Sequence, residues 1–411
     1  MKKIALLSLA ASTLLLAGGY KVPELSMNST ALSAAYVANP HTADAAYFNP
    51  ANMVFMDDGQ HVEQVLTYIR LSEQTFTGTV PNPDGSLNSD GAVSASEDFF
   101  SPSLHYVSPM FGDTRFGLSI VAPAGLTKRW EEQPAMTYAN KFSLLVVELN
   151  PSVAYKVSEN FSIAGGARLV YSEGIVMSAS LASRNMEGDS FDFGYNLALS
   201  YRPMPELKLA ATYRSNVDLT EEGSATIYFP DSGDYSGNVH YSGGATVSVP
   251  VPATLNLAVA YTFDTDTTVE FVYERAMWSS YETLDFNYES SLGPLDPKFA
   301  DPIAKDWSDV SAYRIGVTQE YDGWTGMAGI AYDESPVPQE SLNFELADSD
   351  GIIVSFGGRY AYSETVSLGA SLLVDFKESR TVSGAINDSH INGEFTDARA
   401  YLLSLGAEIK F

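Results

Sequence analysis

The last fourteen residues of the chain, Ala398–Phe411, read ARAYLLSLGAEIKF. One face of this stretch carries Tyr401, Leu403, Leu405, Ala407, Ile409 and Phe411. The other face carries Ala400, Ser404, Gly406, Glu408 and Lys410, with Leu402 as its one large apolar residue. Alternation with period two predicts a β-strand with one apolar and one polar side. Because the apolar side holds the bulk and the polar side is sparse, the pattern is typical of a strand between lipid and a lumen in a transmembrane β-barrel.

The N-terminus has the three parts of a secretory signal peptide. Met1-Lys2-Lys3 is basic, Ile4–Ala17 is apolar, and Ala17-Gly18-Gly19 offers small residues for cleavage. We expect cleavage at 17–19, so that residues 1–18 form the signal peptide. The apolar run is too short to cross a bilayer core of about 30 Å as a helix, and no other stretch reaches about 18 apolar residues. The chain has no cysteine, which excludes a disulfide framework and a lipoprotein anchor.

The chain is strongly acidic, with 51 Asp and Glu against 23 Lys and Arg. Without Lys2 and Lys3 the net charge is near −30. Such a charge repels nucleic-acid phosphate, so we expect no nucleic-acid partner. It also repels lipopolysaccharide and anionic outer-membrane lipid unless divalent cations bridge them. The alternative is that acidic loops keep a protein with an apolar belt soluble during export.

Alternating segments recur along the chain at the spacing of a barrel, joined by turns that are alternately short and long. We predict an all-β fold, a 14-stranded antiparallel transmembrane β-barrel in the bacterial outer membrane. The predicted strands are 60–80, 98–109, 115–128, 138–156, 161–178, 189–203, 206–217, 240–263, 266–287, 308–321, 324–335, 350–362, 365–380 and 394–411. Tight turns such as Asp322-Gly323 mark one rim, and long polar stretches at 81–97, 218–239 and 288–307 mark the other.

The predicted inward rows are mostly Gly, Ala, Ser, Thr and Asn, which cannot fill the lumen of fourteen strands. Something else occupies that space, or the lumen is an open pore. Residues 19–58 precede the first strand without period-two alternation and contain an Ala-rich, potentially helical piece at 30–38. We predict that 19–58 form an N-terminal hatch inside the lumen of a barrel formed by 59–411. The alternative is a disordered periplasmic tail.

A set of short motifs occurs in order along nearly the whole chain. They are Gly19-Tyr20, Asn49-Pro50-Ala51, Ala122-Pro123-Ala124-Gly125-Leu126, Asn150-Pro151-Ser152-Val153-Ala154-Tyr155 followed by Phe161-Ser162, Gly194-Tyr195-Asn196-Leu197, Tyr213-Arg214-Ser215, Trp278-Ser279, Ala312-Tyr313-Arg314-Ile315-Gly316 and Asp333-Glu334-Ser335-Pro336-Val337-Pro338. Together they resemble the FadL family of outer-membrane long-chain fatty-acid transporters. Two departures concern the region that would shape the external groove: Lys128-Arg129-Trp130-Glu131-Glu132, and a short 173–190.

The resemblance implies passive uptake of a long-chain fatty acid or another hydrophobic molecule. The ligand would bind first outside, then at a tighter inner site, and leave sideways through the wall once the hatch, with its Asn49, Pro50 and Ala51, moves. A lateral opening needs broken ladder hydrogen bonds, and Pro123, Ala124 and Gly125 suit such a defect because proline lacks an N–H. The alternative is that the strand ends before Pro123.

An amphipathic acid needs an apolar slot and a cation for its carboxylate. The alternation points Arg168, Lys208, Arg214, Arg314 and Arg359 inward, where a salt-bridge network with Asp192, Glu270 or Glu320 is the alternative role. Lys305 lies at a spacing from Arg314 that resembles the family's carboxylate-contacting lysine, and Tyr20 resembles an aromatic residue that projects into the apolar slot. The predicted ligand-binding residues are Lys305, Arg168, Arg314 and Tyr20.

Nothing in the sequence favours an enzyme. The five histidines show no metal-ligand spacing, so we expect no metal and no cofactor. Asp388-Ser389-His390 holds the residue types of a catalytic triad, but adjacent loop residues do not form one. A general diffusion porin for small hydrophilic solutes is the second candidate function, and a surface adhesin the third. We expect a monomer.

Overall fold

A computed structural model of the chain describes residues 18–82, 86–180, 182–229 and 238–411. The predicted signal peptide therefore lies outside the described residues, apart from Gly18. Fourteen antiparallel strands form the wall. They are β1 His61–Leu71, β2 Glu97–Val107, β3 Thr114–Arg129, β4 Lys141–Ser158, β5 Phe161–Ser178, β6 Ser183–Met204, β7 Leu207–Arg214 continued by Val217–Tyr228, β8 Val239–Val251 continued by Ala253–Thr262, β9 Thr267–Met277, β10 Val310–Tyr321, β11 Trp324–Asp333, β12 Gly351–Ala361, β13 Val366–Lys377 and β14 Arg399–Lys410.

The wall closes on itself. Each strand pairs with its neighbour in the chain, and β1 pairs with β14 from His61 opposite Lys410 to Leu71 opposite Ala400. Closure satisfies the backbone groups of both terminal strands, as the interior of a bilayer requires. The predicted 14-stranded antiparallel barrel is confirmed.

Side chains alternate across the wall as predicted. On β6 the outward row is exposed, with Phe191 at 72% and Phe193 at 74%, whereas the inward Asn196, Ala198 and Ser200 are buried. On β14 the inward Ala400, Leu402, Ser404 and Glu408 are buried. The apolar outward rows therefore face lipid, and the small polar rows face the interior.

Several predicted boundaries were wrong. The predicted strand 266–287 ends at Met277, and the predicted strand 189–203 begins at Ser183. The predicted strand 60–80 ends at Leu71 and resumes as Thr75–Pro81, which leaves the wall and pairs with Asn392–Thr396. The predicted strand 394–411 breaks at Asp397, whose φ of 66° makes a turn. Residues 218–228, predicted as loop, continue β7 because Val217, Leu219 and Ile227 keep a buried row.

Short elements form the outer end. The small sheet that includes Thr75–Pro81 also contains Leu87–Asn88, Ala92–Val93, Arg380–Val382 and Asn392–Thr396. Other short elements are the helices Met136–Ala139, Trp278–Ser280, Gly293–Leu295 and Asp296–Phe299, and the strands Thr283–Leu284, Phe286–Tyr288 and Ile303–Ala304. Within the described ranges, no helix is long and apolar enough to cross a membrane.

Residues 18–56, called the N-terminal segment below, lie among inward side chains of the wall. The segment contains the helices Met27–Ala31 and Ala45–Phe48 and the 3-10 helix Pro50–Phe55. The expected helix over 30–38 is wrong beyond Ala31, because Ser33 and Ala34 adopt positive φ and turn the chain. Thr30 bonds Ser404 of β14 at 3.0 Å, and Ser33 bonds Ser355 of β12 at 2.7 Å.

The small residues of the inward rows make room for this segment. A Cβ added at Gly329 of β11 would lie 2.2 Å from the carbonyl carbon of Leu32, and one added at Gly117 of β3 would lie 2.6 Å from Met53 Sδ. Distances this short do not occur between non-bonded atoms, so the glycines let the segment and the wall touch directly.

Candidate ligand-binding site

Tyr20 sits in an aromatic enclosure at the start of the N-terminal segment. Its ring centroid is 4.7 Å from that of Trp278, 5.8 Å from that of Trp307 and 6.5 Å from that of Tyr281. The Tyr20 hydroxyl donates to the Pro250 carbonyl, and burial raises the pKa of that hydroxyl well above its usual value. Tyr20 is therefore a neutral ring that fills an apolar slot.

The preceding residue has to be glycine. Gly19 has a φ of 85°, and a Cβ there would lie 2.6 Å from the indole of Trp278. Trp278 Nε1 also donates to the Gly18 carbonyl at 3.1 Å. The pair Gly18-Gly19 thus lets the chain run flat against Trp278 and deliver Tyr20 into the slot.

The space left beside Tyr20 is a cavity of about 20 Å³. Its walls are Tyr20, Leu126, Phe142, Leu144, Val249, Tyr281, Lys305, Trp307, Glu345 and Leu346. That volume holds about one water molecule. Because the slot is apolar and almost filled, a ligand of any length can enter only where Tyr20 is displaced.

Lys305, a candidate because of its spacing from Arg314, lines this cavity and already has an anionic partner. Lys305 Nζ donates to Glu345 Oε2 at 2.7 Å, with 5% of Lys305 and 8% of Glu345 exposed. The Lys305 backbone is held on both sides, since its N–H donates to Glu282 and its carbonyl accepts from the Ser341 hydroxyl. The ammonium group is thus fixed at the edge of the slot.

Arg168 lies at a different cavity from Lys305. Arg168 and Arg214 both bond the buried Glu148, and Arg168 Nε lies 2.9 Å from Glu148 Oε2. The guanidinium of Arg214 stacks 4.1 Å from the ring of Tyr47. Both arginines line a cavity of about 80 Å³ that also borders Lys21, Val22 and Pro123. The structure therefore separates Arg168 from the slot around Tyr20.

Arg314 is also placed away from the slot. It donates to Asp333 Oδ2 at 2.9 Å and to the Ser33 carbonyl at 3.3 Å, and Glu274 lies 3.6 Å away. Lys21 bonds the same Glu274. These contacts tie two points of the N-terminal segment to β9, β10 and β11.

The wall is irregular at Pro123. Val121 of β3 pairs with Glu148 of β4 and Ala124 with Val146, so Ala122 and Pro123 together stand opposite Val147 and form a bulge. The strand does not end there, since β3 runs on to Arg129. From Val121 to Lys128 every residue is buried, which shows that this part of β3 has left the outer surface.

On its other side β3 separates from β2. The two strands pair only from Leu104 opposite Ile120 to Val107 opposite Gly117. Farther out, the Ala95 N–H donates to the Arg129 carbonyl, and Arg129 Nε lies 2.6 Å from Glu97 Oε1. Between these two contacts, within the described residues, β2 and β3 share no register pair. The result is a window in the wall that is bounded at both ends.

The N-terminal segment takes the place of β2 at this window. The Val22 N–H donates to the Pro123 carbonyl at 2.9 Å, and the Gly125 N–H donates to the Tyr20 carbonyl at 2.9 Å. Lys21 forms a β-bridge with Ala124. Tyr20 and the edge of the window are thus joined by backbone hydrogen bonds.

Asn49, Pro50 and Ala51 fix the other end of the segment. Asn49 caps the 3-10 helix by accepting from the Ala51 N–H at 3.1 Å, and its amide donates to the Val37 carbonyl and the Ser200 hydroxyl. The Ala51 carbonyl accepts from the Ser162 hydroxyl at 2.6 Å. These bonds attach the segment to β5 and β6.

Residues 8–411 match the family described as outer membrane protein transport protein (OMPP1/FadL/TodX). The chain belongs to this family. It is 27% identical to the long-chain fatty acid transport protein of Escherichia coli O6:H1 (strain CFT073), over 88% of each chain. This confirms the resemblance seen in the motifs and the outer-membrane location.

Two solved structures share the fold of this FadL/TodX family member. A crystal structure of a Pseudomonas aeruginosa FadL homologue has a TM-score of 0.85 at 19% identity, covering 96% of this chain and 100% of that one. The P. putida toluene transporter TodX has a TM-score of 0.73 at 17% identity, covering 94% of this chain and 98% of that one.

Three buried charged residues that hold distant parts of this FadL/TodX family member together were not predicted from the sequence. Arg115 is fully buried and donates to the carbonyls of Met53, Met56, Asp57, Gly59 and Ser108. Glu270 accepts from the backbone N–H groups of Val37, Ala38 and Asn39. Glu345, the partner of Lys305, lies in a stretch read as loop. Backbone partners leave no mark in a sequence, so no pattern could have found the first two.

Proposed function

We propose that this outer-membrane transporter takes up long-chain fatty acids or similar hydrophobic molecules by passive passage that the ligand itself opens. The observation that carries the proposal is the Tyr20 ring held among Trp278, Tyr281 and Trp307, with only about 20 Å³ of free space beside it. A relative is named a long-chain fatty acid transport protein and a structural neighbour a toluene transporter. Both names describe hydrophobic cargo, which matches an apolar slot.

In this proposal Tyr20 is the gate and the N-terminal segment is the hatch. Displacing an aromatic side chain from its enclosure costs about 1.5–3 kcal/mol. Breaking the two backbone bonds to Pro123 and Gly125 adds about 1–3 kcal/mol. A hydrocarbon chain gains about 0.8 kcal/mol for each buried methylene, so about eight methylenes offset even the larger total. A small hydrophilic solute has no comparable gain.

The exit in this proposal is sideways, through the window at Pro123, Ala124 and Gly125. Because Tyr20 and Val22 hold the window edge, ligand in the slot loosens the backbone partners of β3 at the same time. The cavity beside Arg168 and Arg214 borders Pro123 and offers the next space on this route. We assign Lys305, together with its partner Glu345, to the polar end of the ligand in the slot. Arg314 acts through the N-terminal segment, which it holds at Ser33.

Passage within one chain needs no second subunit, so we propose a functional monomer. We also propose that the acidic outer loops meet lipopolysaccharide through divalent cations, because a net charge of −28 otherwise repels an anionic surface.

Deleting the hatch tests the proposal against a general diffusion porin. The intact protein in a planar bilayer is expected to show little steady ion conductance, whereas a variant lacking residues 21–49 conducts. Cells that express the intact protein and lack other such transporters are expected to accumulate a labelled long-chain hydrophobic molecule, hexadecanoate or hexadecanol, but not a labelled disaccharide. Large ohmic channels and disaccharide uptake from the intact chain would establish the porin instead.

A further inference from the structure

Lys305 and Glu345 are forty residues apart in the chain and meet at the wall of the slot, with 2.7 Å between Nζ and Oε2. Of the ten described residues that line this cavity, these two are the charged ones. The slot therefore offers a neutral ion pair to a ligand, and not a free cation.

We infer that Glu345 determines specificity by holding the place of a ligand carboxylate, so that the slot prefers uncharged hydrophobic molecules to fatty-acid anions. The inference rests on the proposed function, since it takes the slot around Tyr20 as the ligand site. It goes beyond that function by naming the class of substrate.

Glu345 is held in place by its neighbours. Its N–H donates to Asn343 Oδ1 at 2.8 Å, and the adjacent Phe344 is fully buried, with its carbonyl accepting from Trp130 Nε1 at 2.8 Å. Leu346 on the other side is buried against the same core. A ligand cannot move the Glu345 backbone away from Lys305 without moving packed residues.

The charges decide which ligand the slot accepts. A carboxylate that reaches Lys305 places two negative groups around one ammonium in a site that excludes water, and like charges repel strongly there. An alcohol, an amide or a hydrocarbon leaves the ion pair intact and still gains the burial of its chain. Neither buried charge loses its partner.

The test compares hexadecanoate with hexadecanol, which share a chain and differ in the charge of the head group. Each ligand displaces a fluorescent hydrophobic probe from the purified full-length protein in neutral detergent. Wild-type protein is expected to bind the alcohol at least about 10-fold more tightly than the anion. Glu345→Gln is expected to strengthen hexadecanoate binding by about 10- to 100-fold and to change hexadecanol binding by less than about threefold.

Two further variants separate charge from structure. Glu340→Gln removes an exposed carboxylate from the same stretch and is expected to change neither affinity. The double variant Lys305→Gln with Glu345→Gln carries no charge in the slot and is expected to lose the gain in hexadecanoate binding that Glu345→Gln produces, because the ammonium group that attracts the carboxylate is gone. Thermal unfolding of each variant shows that the barrel is intact.

The possible outcomes distinguish failure of this inference from failure of the proposed transport function. A wild-type protein that binds hexadecanoate more tightly than hexadecanol overturns the inference and needs no variant to do so. Equal gains for both ligands in Glu345→Gln also overturn it, because a charge effect cannot act on the alcohol. If neither ligand displaces the probe from wild-type protein, the proposed function fails.

Discussion

Leu32 of the N-terminal segment lies directly against Gly329 of β11, so that a Cβ at Gly329 would be 2.2 Å from the Leu32 carbonyl carbon and 2.4 Å from its oxygen. Gly329 is fixed on both sides by register pairs with Gly316 and Ser355. A side chain at this position would therefore displace the N-terminal segment, because the strand pairing holds the wall in place.

Gly329→Ala is therefore expected to push the segment out of its seat and to raise steady ion conductance in a planar bilayer by about tenfold or more. Gly326→Ala is the matched control, because it lies on the same strand and the nearest atom to its Cβ would be 4.0 Å away. Equal conductance from both variants would mean that the segment does not block the lumen.

Replacing Tyr20 tests whether this ring competes with the ligand. Tyr20→Ala empties the enclosure in advance, so a hydrophobic probe is expected to bind about 10- to 100-fold more tightly. Tyr20→Phe keeps the ring and loses the bond to the Pro250 carbonyl, and is expected to stay within about threefold of the wild type. Weaker probe binding by Tyr20→Ala would show that the ring forms part of the binding surface instead.

Closing the window tests the sideways exit. Pro123→Val with Gly125→Val supplies an N–H and two β-forming side chains where β3 is irregular, and is expected to favour regular pairing. Uptake of labelled hexadecanol by cells should then fall about tenfold, while the thermal stability of the barrel holds or rises.

Ile120→Val, in the paired part of β3, serves as the control for that double variant, because it changes a lipid-facing side chain without touching the window. Wild-type uptake through a demonstrably regular β3 would mean that the ligand leaves at the periplasmic end.

Glu24 is expected to make the position of the N-terminal segment depend on pH. Its carboxylate is buried and makes no side-chain hydrogen bond to another described residue. Burial raises the pKa of Glu24 from 4.5 to about 8, opposed by Arg314 and reinforced by Asp375 and Asp333. Between pH 4.5 and about pH 8, Glu24 is therefore protonated while the N-terminal segment is in place and ionised once the segment is displaced.

Because the pKa of Glu24 is raised while the N-terminal segment is in place, the equilibrium favours the segment in place most strongly below pH 4.5. The equilibrium constant then falls by up to about tenfold per pH unit as the pH rises toward about 8. Bilayer conductance is expected to increase over that range in the wild type and to stay flat in Glu24→Gln. Glu364→Gln, in an exposed turn, should behave as the wild type. A flat wild-type profile would exclude Glu24 as the titrating group.

The alternation of side chains made the wall predictable from sequence. The stretch 191–202 on β6 alternates between apolar and polar or small residues, because the pleat of a strand places successive side chains on opposite faces. The missing N–H of Pro123 likewise points to an irregular ladder without any knowledge of the fold. Local chemistry therefore predicted the strands and the position of the bulge in β3.

What joins distant parts of the chain could not be predicted. The partner that replaces β2 at Pro123 is Val22, a hundred residues earlier, and the bond uses backbone atoms that every residue has. Glu345 meets Lys305 because a long outer connection folds inward between β11 and β12. The charge of the slot, on which the inferred preference for uncharged ligands rests, depends on that fold and not on a motif.

Ser404 of β14 bonds Thr67 of β1 at 2.7 Å and Thr30 of the N-terminal segment at 3.0 Å. One hydroxyl thus joins the seam where the first and last strands meet to the part of the chain that fills the lumen. Residues that precede β1 leave the export machinery first, whereas β14 leaves last. If β1 and β14 paired too early, the N-terminal segment would remain outside the barrel. Assembly in the outer membrane therefore has to enclose this segment before the first and last strands pair.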